Sequence, residues 1–393
     1  MYSFSLEISN TVIVLLACAA AMTIPVIIYY MLPALRVSRA SRIMSPDKES
    51  YAAEQTAVSV VVYASDQAES LRHLLPSILG QNYRAPFEVI VVNEGRSDST
   101  ADVVQRLRLI HDNLYLTYTP DGARQLSRKK LALMIGIKAA RYPVVVHTTA
   151  SAVIDSEDWL RHIVAPFGNK DVEVVLGHSS LNFNKDNGFG ARSRAFNSTA
   201  DDLVWLDAAL RGKPYRGTEL NLAYTRDLFF RNRGFSRSLN LKYGDDDIFI
   251  NEITTGRNTA VVLEPESIVR RSAGNIGRTY RHLRSRYFFT RSRLPKAARL
   301  KLAAGTLALV AMAGLCVFAA ILGLPNLTPA AIAAFLLICT FLAAVIFWRR
   351  AVKILSGRSL TLTLPWMMIT RPIANLTASV KSLFNRKNNY TWH

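Results

Sequence analysis

Three consecutive acids, Asp245, Asp246 and Asp247, run directly into the apolar segment 248–250. Adjacent carboxylates repel one another and raise one another's pKa, so a folded protein is expected to keep such a cluster only where something uses it. One use is structural, because Asp caps helix N-termini well and acids in a first turn favour the helix dipole. The other is catalytic, since one carboxylate can take a proton from an incoming hydroxyl while its neighbours orient it. The local sequence leaves both interpretations open.

Composition limits the classes of protein and partner. The 393-residue chain is half apolar and carries a net charge of +19, which suits one large soluble core plus membrane segments. Its three cysteines lie in long apolar runs without neighbours at metal-ligand spacing, which indicates neither a disulfide nor a zinc site. Eleven Lys or Arg and no acid occur in 267–301, directly before an apolar run. This placement favours anionic membrane lipids as partners and argues against nucleic acid.

Three apolar segments, 11–32, 302–324 and 330–348, have about the length that a helix needs to cross a bilayer. Basic residues follow the first segment, precede the second and follow the third. The positive-inside rule then predicts an integral membrane protein whose large middle region is cytoplasmic. Two prolines and an arginine interrupt 360–376, so this segment is expected to lie at the membrane interface.

These features divide the chain into four predicted parts. They are an N-terminal transmembrane anchor with its basic flank (1–42), a cytosolic domain with a basic membrane-proximal end (43–300), a transmembrane helical hairpin (301–348), and an interfacial segment with a cytosolic tail (349–393).

Strand and helix signals alternate within the cytosolic domain. The patterns predict strands at 58–63, 87–92, 114–118 and 144–146, and helices at 68–81, 100–111 and 128–140. Such alternation favours an α/β fold with a mostly parallel sheet and helices on both faces. The ligand crevice of such a sheet lies at the carboxyl ends of the strands.

Several motifs of this domain resemble family 2 glycosyltransferases in order and spacing. They are VSVVVYASDQ from Val58, FEVIVVNEGRSDST from Phe87, RKKLALMIGIKAARYPVVV from Arg128, GKPYRGTELNLAY from Gly212 and GDDDIFINEI from Gly244. The resemblance implies a Rossmann-like GT-A fold, as in nucleotide-diphospho-sugar transferases. The flanking apolar segments are similar to those of membrane-anchored, bacterial-type members, which implies a location in a bacterial inner membrane. It also implies an inverting transfer of a sugar from a nucleotide-sugar to an acceptor hydroxyl, on a glycan or a lipid-linked acceptor. By the same resemblance, the family's pair of catalytic acids falls on Asp245 and Asp246, with Asp246 as the base.

The sequence departs from the family at the expected metal ligands. Members usually carry Asp-x-Asp after the strand at 144–146, where the carboxylates hold a divalent metal on the donor diphosphate, but this chain has Thr149-Ala150-Ser151. Hydroxyls bind Mg²⁺ or Mn²⁺ much less well than carboxylates do, so we expect weak or absent metal dependence. Two interpretations remain: an enzyme with altered donor handling, or a non-catalytic glycosyltransferase-like binding or scaffold protein at the membrane. The faint match of 278–282 to the Gln-x-x-Arg-Trp motif of processive members favours single transfers.

Donor contacts are predicted from the polar ends of the strands and from the basic residues. Tyr63 is placed to stack on a nucleobase, and Asp66, Glu94, Thr149 and Ser151 to face the same crevice, although core and turn roles are common for such residues. Fixed cations can stabilise a departing diphosphate in place of a metal. The candidates are Arg124, Lys129, Lys130, Arg278 and Arg281, with Arg281 and Lys130 included in the predicted donor site. A surface or lipid-facing position is the more common fate of any one such residue.

Overall fold

The structure is a computed structural model that describes residues 4–5, 7–43, 56–95, 98–120, 126–183, 188–294, 296–355, 357–360 and 363–385. Its strands are β1 (Val58–Ala64), β2 (Phe87–Asn93), β3 (Leu114–Tyr118), β4 (Val144–Thr149), β5 (Ala152–Val153), β6 (Val174–Gly177), β7 (Ser179–Leu181), β8 (Leu222–Thr225), β9 (Thr259–Val262) and β10 (Val269–Arg271). The four strands predicted from the sequence are present as β1 to β4; β3 has the expected ends, and the others end one to three residues later than expected.

A seven-stranded sheet in the order β3-β2-β1-β4-β8-β6-β9 forms the centre of the fold. Its strands are parallel except for β8, which pairs antiparallel with both β4 and β6. The small strands β5, β10 and β7 form a second sheet in that order. The predicted α/β architecture is therefore confirmed, with a mixed sheet.

The helices are α1 (Asn10–Val26), α2 (Leu32–Ile43), α3 (Ala68–Leu79), α4 (Asp98–Arg108), α5 (Arg128–Ala139), α6 (Trp159–Val164), α7 (Phe189–Leu210), α8 (Arg226–Arg231), α9 (Ile248–Ile253), α10 (Ile276–Thr290), α11 (Lys296–Leu322), α12 (Thr328–Ile354) and α13 (Leu364–Asn385). A π-helical segment, Ile27–Met31, joins α1 to α2. The three helices predicted for the cytosolic domain correspond to α3, α4 and α5.

The two faces of the main sheet bury different layers. Val60 and Val62 of β1 pack with side chains of α3 and α6, whereas Val61 between them packs with α5 and α7. This alternation follows from the two-residue period of a strand, and the β-branched runs suit strands buried on both faces. The layer that packs against Val61 continues through Trp348 of α12 and Met367 of α13. These helices are therefore packed onto the sheet domain.

Two helical segments of the described chain, Asn10–Arg42 and Thr328–Ile354, are long and apolar enough to cross a membrane. The remaining predicted span, 302–324, lies mostly in α11, where the apolar described stretch, Leu307–Leu322, is shorter. The three helices pack together through small side chains: Ala19, Cys316 and Ala333 share one buried cluster. The turn after α11 is tied to the chain before α1, because the Asn326 side chain donates to the Ser5 carbonyl at 2.9 Å.

The segment predicted to be interfacial forms most of α13. Its inner face buries Met367, Met368 and Arg371 against the rest of the protein. Its outer face exposes apolar side chains at helical spacing, namely Trp366, Ile369, Ile373, Leu376 and Val380. One buried and one exposed apolar face is a pattern typical of a helix that also contacts a lipid surface.

Candidate active site

Gly244 forms the turn after which the three acids run into the protein interior. It has a φ of 112°, which L side chains rarely adopt, and an added Cβ would lie 2.7 Å from Ile248 Cδ1. Asp247 is the N-cap of α9: its Oδ1 accepts from the Ile248 N–H at 2.7 Å, and its Oδ2 accepts from the Thr290 hydroxyl. The capping interpretation therefore holds for Asp247 and leaves the other two acids without that role.

Asp245 and Asp246 converge on a single guanidinium. Nη2 of Arg286, on α10, lies 2.7 Å from Oδ1 of each carboxylate. The Tyr287 hydroxyl donates to Asp246 Oδ2 at 3.0 Å. Both acids and Arg286 are buried, and each carboxylate oxygen accepts two hydrogen bonds. Asp246 thus retains acceptor capacity for a further hydroxyl.

A third acid, Glu219, extends this cluster towards the strand ends. It pairs with Arg286, with Lys129, and with Arg271 Nη2 at 2.8 Å. Lys129 Nζ also lies 2.6 Å from Asp245 Oδ2. Three cations therefore neutralise three buried carboxylates. Such networks are tolerated in an interior only when nearly every charge is paired.

The network drives the pKa values of the two adjacent acids apart. Burial, reinforced by the neighbouring carboxylates and opposed by Arg286, raises the pKa of Asp246 to about 7. Burial also disfavours the charged form of Asp245, but Arg286 and Lys129 outweigh it and hold the pKa of Asp245 well below its usual range. At neutral pH one acid is therefore fixed as a carboxylate while its neighbour can gain or lose a proton. Such a pair is suited to general base catalysis.

The structure brings three of the predicted donor-site residues, Tyr63, Glu94 and Asp66, together at the carboxyl ends of β1 and β2. The Tyr63 hydroxyl donates to the Glu94 carboxylate, and Arg128 donates to the Glu94 carbonyl at 2.7 Å. Asp66 is exposed and lies against Gly95, where an added Cβ would be 1.9 Å from Asp66 Oδ1. These contacts place the three predicted residues on one rim of the crevice, and their role toward a donor stays a prediction.

Thr149 and Ser151 occupy the neighbouring strand end, where the family carries metal-binding acids. Their hydroxyls are 2.8 Å apart, and Arg271 Nη1 lies 3.3 Å from Ser151 Oγ. Among the described residues, no group of three or more His, Cys, Asp or Glu side chains is arranged to hold a metal. A divalent ion beside Ser151 would meet two neutral hydroxyls and a guanidinium, so these residues do not fit the metal that the resemblance implies.

The remaining predicted cations are placed differently from one another. Lys130 is buried, and its ammonium donates to the carbonyls of Ser238, Leu241 and Tyr243 at 2.6, 3.2 and 2.8 Å. These bonds use all three of its donors, so Lys130 braces the loop before the acids instead of facing a ligand.

Arg278 and Arg281 are exposed on α10, and Arg124 lies outside the described residues. It is Arg286, five residues after Arg281, that reaches the acids. Sequence reasoning missed Arg286, Arg271 and Glu219, although a buried run of acids signals that matching cations must come from elsewhere.

Comparison with known proteins bears on the family and the fold of the chain. Residues 59–244 match the sequence model of Glycosyl transferase family 2. Poly-beta-1,6-N-acetyl-D-glucosamine synthase of Staphylococcus epidermidis is 30% identical over 101 residues, covering 25% of this chain and 23% of that protein. The synthase of the same name from Staphylococcus aureus (strain COL) is 24% identical over 104 residues, or 26% and 24% of the two chains. The matched region thus spans about a quarter of these curated relatives.

A solved structure extends the comparison to the whole fold. The mannosyltransferase PcManGT from Pyrobaculum calidifontis, in complex with GDP-Man and Mn²⁺, covers 92% of this chain and 99% of its own, with a TM-score of 0.54 and 21% identity. At that identity the likeness establishes the fold alone. Together with the family match, it confirms the resemblance inferred from the motifs: residues 59–244 form a domain of glycosyltransferase family 2, with the GT-A fold.

Proposed function

We propose that the protein is an inverting glycosyltransferase that moves a single sugar from a nucleotide-sugar donor to an acceptor hydroxyl at the cytosolic face of a membrane. The observation that carries this proposal is the pair Asp245 and Asp246. The two buried acids share one guanidinium, and only Asp246 has a pKa near neutrality, at about 7. A group that accepts and releases protons at working pH is what a general base requires.

The proposed step is one in-line displacement. The acceptor oxygen forms a bond to the anomeric carbon while the bond from that carbon to the diphosphate oxygen breaks, which inverts the anomeric centre. The acceptor proton passes to Asp246, and the electron pair of the broken bond leaves with the nucleoside diphosphate. Asp245 stays ionised and holds Arg286 in place, so that Asp246 is oriented before the acceptor arrives.

Lys129 and Arg271 are proposed to stabilise the departing diphosphate. Arg271 borders the position where the family carries its metal ligands, through Ser151, and Lys129 shares the partner Glu219 with Arg271. Both are also partly accessible, at 17% and 11% exposure of their side chains, so a ligand can reach them. Preorganised cations at the leaving group provide the charge stabilisation that a metal gives in other enzymes. Arg281, exposed on the same helix as Arg286, stays a candidate for a contact made only with the donor bound.

The membrane part of the proposal rests on the packing of the apolar helices. The helices α1, α11 and α12 lie side by side. The basic stretch 267–301 ends in the first turns of α11, and α13 exposes an apolar face. We infer three spans, with the family 2 domain in the cytoplasm and α13 lying in the interface. Anionic lipids would neutralise the basic flank.

Thr149-Ala150-Ser151 favours one competing function, that of a non-catalytic binding protein. Calorimetric titration with UDP- and GDP-sugars, in EDTA and then in Mn²⁺, separates the two. We expect at least one donor to bind in EDTA with an affinity that Mn²⁺ does not change. Arg271→Ala should weaken donor binding about tenfold or more. The control is Arg270→Ala, which should leave donor binding unchanged, because the Arg270 side chain is exposed and pairs with Asp155. Absence of binding under every condition would favour the non-catalytic function, and strong Mn²⁺ dependence would contradict the metal-free site.

A further inference from the structure

A cleft lies on the side of the acids that faces the apolar helices. It is partly open, and its empty volume of about 620 Å³ includes space that is continuous with solvent. Tyr287 and Asp247 form its inner wall, and Tyr29 of the π-helical segment and Leu294, just before α11, form its outer wall. The cleft therefore extends from Tyr287, which hydrogen-bonds Asp246, to the junction between the family 2 domain and the apolar helices. We call it the arginine cleft.

Four arginines line the arginine cleft: Arg216, Arg284, Arg291 and Arg371. Of these, Arg371 is paired, at 2.7 Å from Asp201. The other acid of the lining, Asp247, is occupied by the Ile248 N–H and the Thr290 hydroxyl. The cleft thus holds more positive than negative charge.

The other three arginines have no ion-pair partner among the described residues. Arg284 donates to two neutral groups, the Tyr280 hydroxyl at 2.8 Å and Asn375 Oδ1 at 2.5 Å. The Arg216 guanidinium stacks 3.3 Å from the centre of the Tyr287 ring, and its buried Nε lacks a hydrogen-bond partner among the described residues. Arg291 lies 5.6 Å from the Phe288 ring. Asp202 and Asp246 are near enough to raise the pKa of Arg216, although neither is its direct ion-pair partner. Guanidinium groups that are held by aromatic rings and lack a directly paired carboxylate are suited to binding phosphate.

We propose that the arginine cleft binds the phosphate or diphosphate of an amphiphilic, lipid-linked acceptor and thereby presents an acceptor hydroxyl to Asp246. This inference rests on the proposed function and names the acceptor class. Arg216 stacks on the tyrosine that hydrogen-bonds Asp246, so an anion on Arg216 lies one side chain away from the base. The acceptor carries a free hydroxyl in addition to its phosphate, because a phosphate oxygen is already anionic and needs no base.

Two features indicate that the arginine cleft is separate from the predicted site of the donor diphosphate. None of the strand-end residues predicted to contact the donor, such as Tyr63, Glu94 and Thr149, lines the arginine cleft. The cleft instead borders α13 through Arg371 and Asn375, and the outer face of α13 is apolar. A hydrocarbon tail can follow that face into the bilayer while its phosphate stays on the arginines.

The test uses the full chain in non-ionic micelles and decyl phosphate as the probe, with ³¹P NMR line broadening as the readout. We expect decyl phosphate to bind and its ³¹P line to broaden. Decanol added as a competitor should leave that broadened line unchanged, because it lacks the phosphate. Arg216→Gln and Arg284→Gln should each weaken binding about tenfold or more. The matched control is Arg231→Gln, whose arginine is exposed and paired with Glu173 and Asp227, and it should bind like the parent. Two separate variants keep the test valid if one of them fails to fold.

Each contrary result overturns a defined part of the inference. Unchanged binding in both variants would remove the arginines from the site. Inorganic phosphate that binds as tightly as decyl phosphate would indicate a free-anion site, and displacement by UDP would reassign the cleft to the donor. Nucleotide-sugar binding is measured on the same samples. If the parent binds the donor but not decyl phosphate, the acceptor inference alone is refuted. If the parent does not bind any donor, the proposed function is refuted.

Discussion

Arg286→Gln perturbs the one side chain that joins the two proposed catalytic acids. In this variant Lys129 still pairs with Asp245 and Glu219, and Arg271 with Glu219, but Asp246 keeps only the Tyr287 hydroxyl. A neighbouring cation typically lowers a carboxyl pKa by about 1–3 units, so its loss should raise the pKa of Asp246 above its present value of about 7. With a rise of about 1–2 units, the ionised fraction at pH 7 falls from about a half to about 1–10%. Turnover should therefore drop about fivefold to fiftyfold.

The assay is nucleoside diphosphate release from whichever donor binds, measured from pH 6 to pH 10. The decline in Arg286→Gln should be largely rescued at alkaline pH, because Asp246 then ionises again. Arg293→Gln is the control, since Arg293 is exposed and lies just after the same helix, and its profile should keep the parental midpoint. A loss of turnover that is equal at every pH would refute the reasoning and indicate disrupted packing.

Arg286→Gln should also change how the stability of the protein depends on pH. Because the folded pKa of Asp246 lies above the ordinary value of about 3.8, its contribution to stability is present at low pH and is lost as pH rises through the folded pKa. An unpaired buried charge costs about 3–5 kcal/mol, and protonation of Asp246 avoids most of that cost. Thermal unfolding in micelles should show a larger deficit for Arg286→Gln at pH 9 than at pH 6, and an equal deficit would contradict the assignment.

Three further predictions follow. Turnover of the parent should rise with pH to a plateau with a midpoint near 7, as Asp246 loses its proton, and a pH-independent rate from 5 to 9 would remove it as the base. Lys130→Met should lower the free energy of unfolding by about 2 kcal/mol or more, because three loop carbonyls lose their donor; the exposed Lys138→Met is the control, and equal stabilities would contradict the bracing role. In a variant without natural cysteines, an impermeant thiol reagent applied to intact cells should label Leu324→Cys and spare Lys170→Cys, and the opposite result would invert the topology.

The sheet and its first helices were predictable because their signals are local. β1 and β2 are continuous β-branched runs buried on both faces, so length and composition identify them. The cluster of acids was also recognisable, as was the need for one cap, which the structure assigns to Asp247. Boundaries were less exact: the helix expected to reach residue 111 ends at Arg108, since terminal turns depend on contacts outside the segment.

The partners of the acids were not predictable, because they come from distant parts of the chain. Arg286 follows Asp246 by 40 residues, and Arg271 follows Glu219 by 52. A basic stretch signals lipid contact by composition, but composition does not indicate which arginine faces inward. Arg281 and Arg286 lie about 140° apart around α10, and only packing against the acids decides between them. Lys130 shows the same difficulty, since a lysine beside a catalytic motif reads as a ligand contact until its three carbonyl partners are known.

The most direct test of metal-free glycosyl transfer with Asp246 as the base is a transfer rate in EDTA. Purified protein is incubated with a panel of nucleotide-sugars and a membrane lipid extract, and nucleoside diphosphate release is compared between the parent and Asp246→Asn, which keeps the size of the side chain. We predict release by the parent in EDTA and a rate about 10² lower or more in the variant, with unchanged donor binding. Equal rates in the two proteins, or release that requires Mn²⁺, would contradict the account.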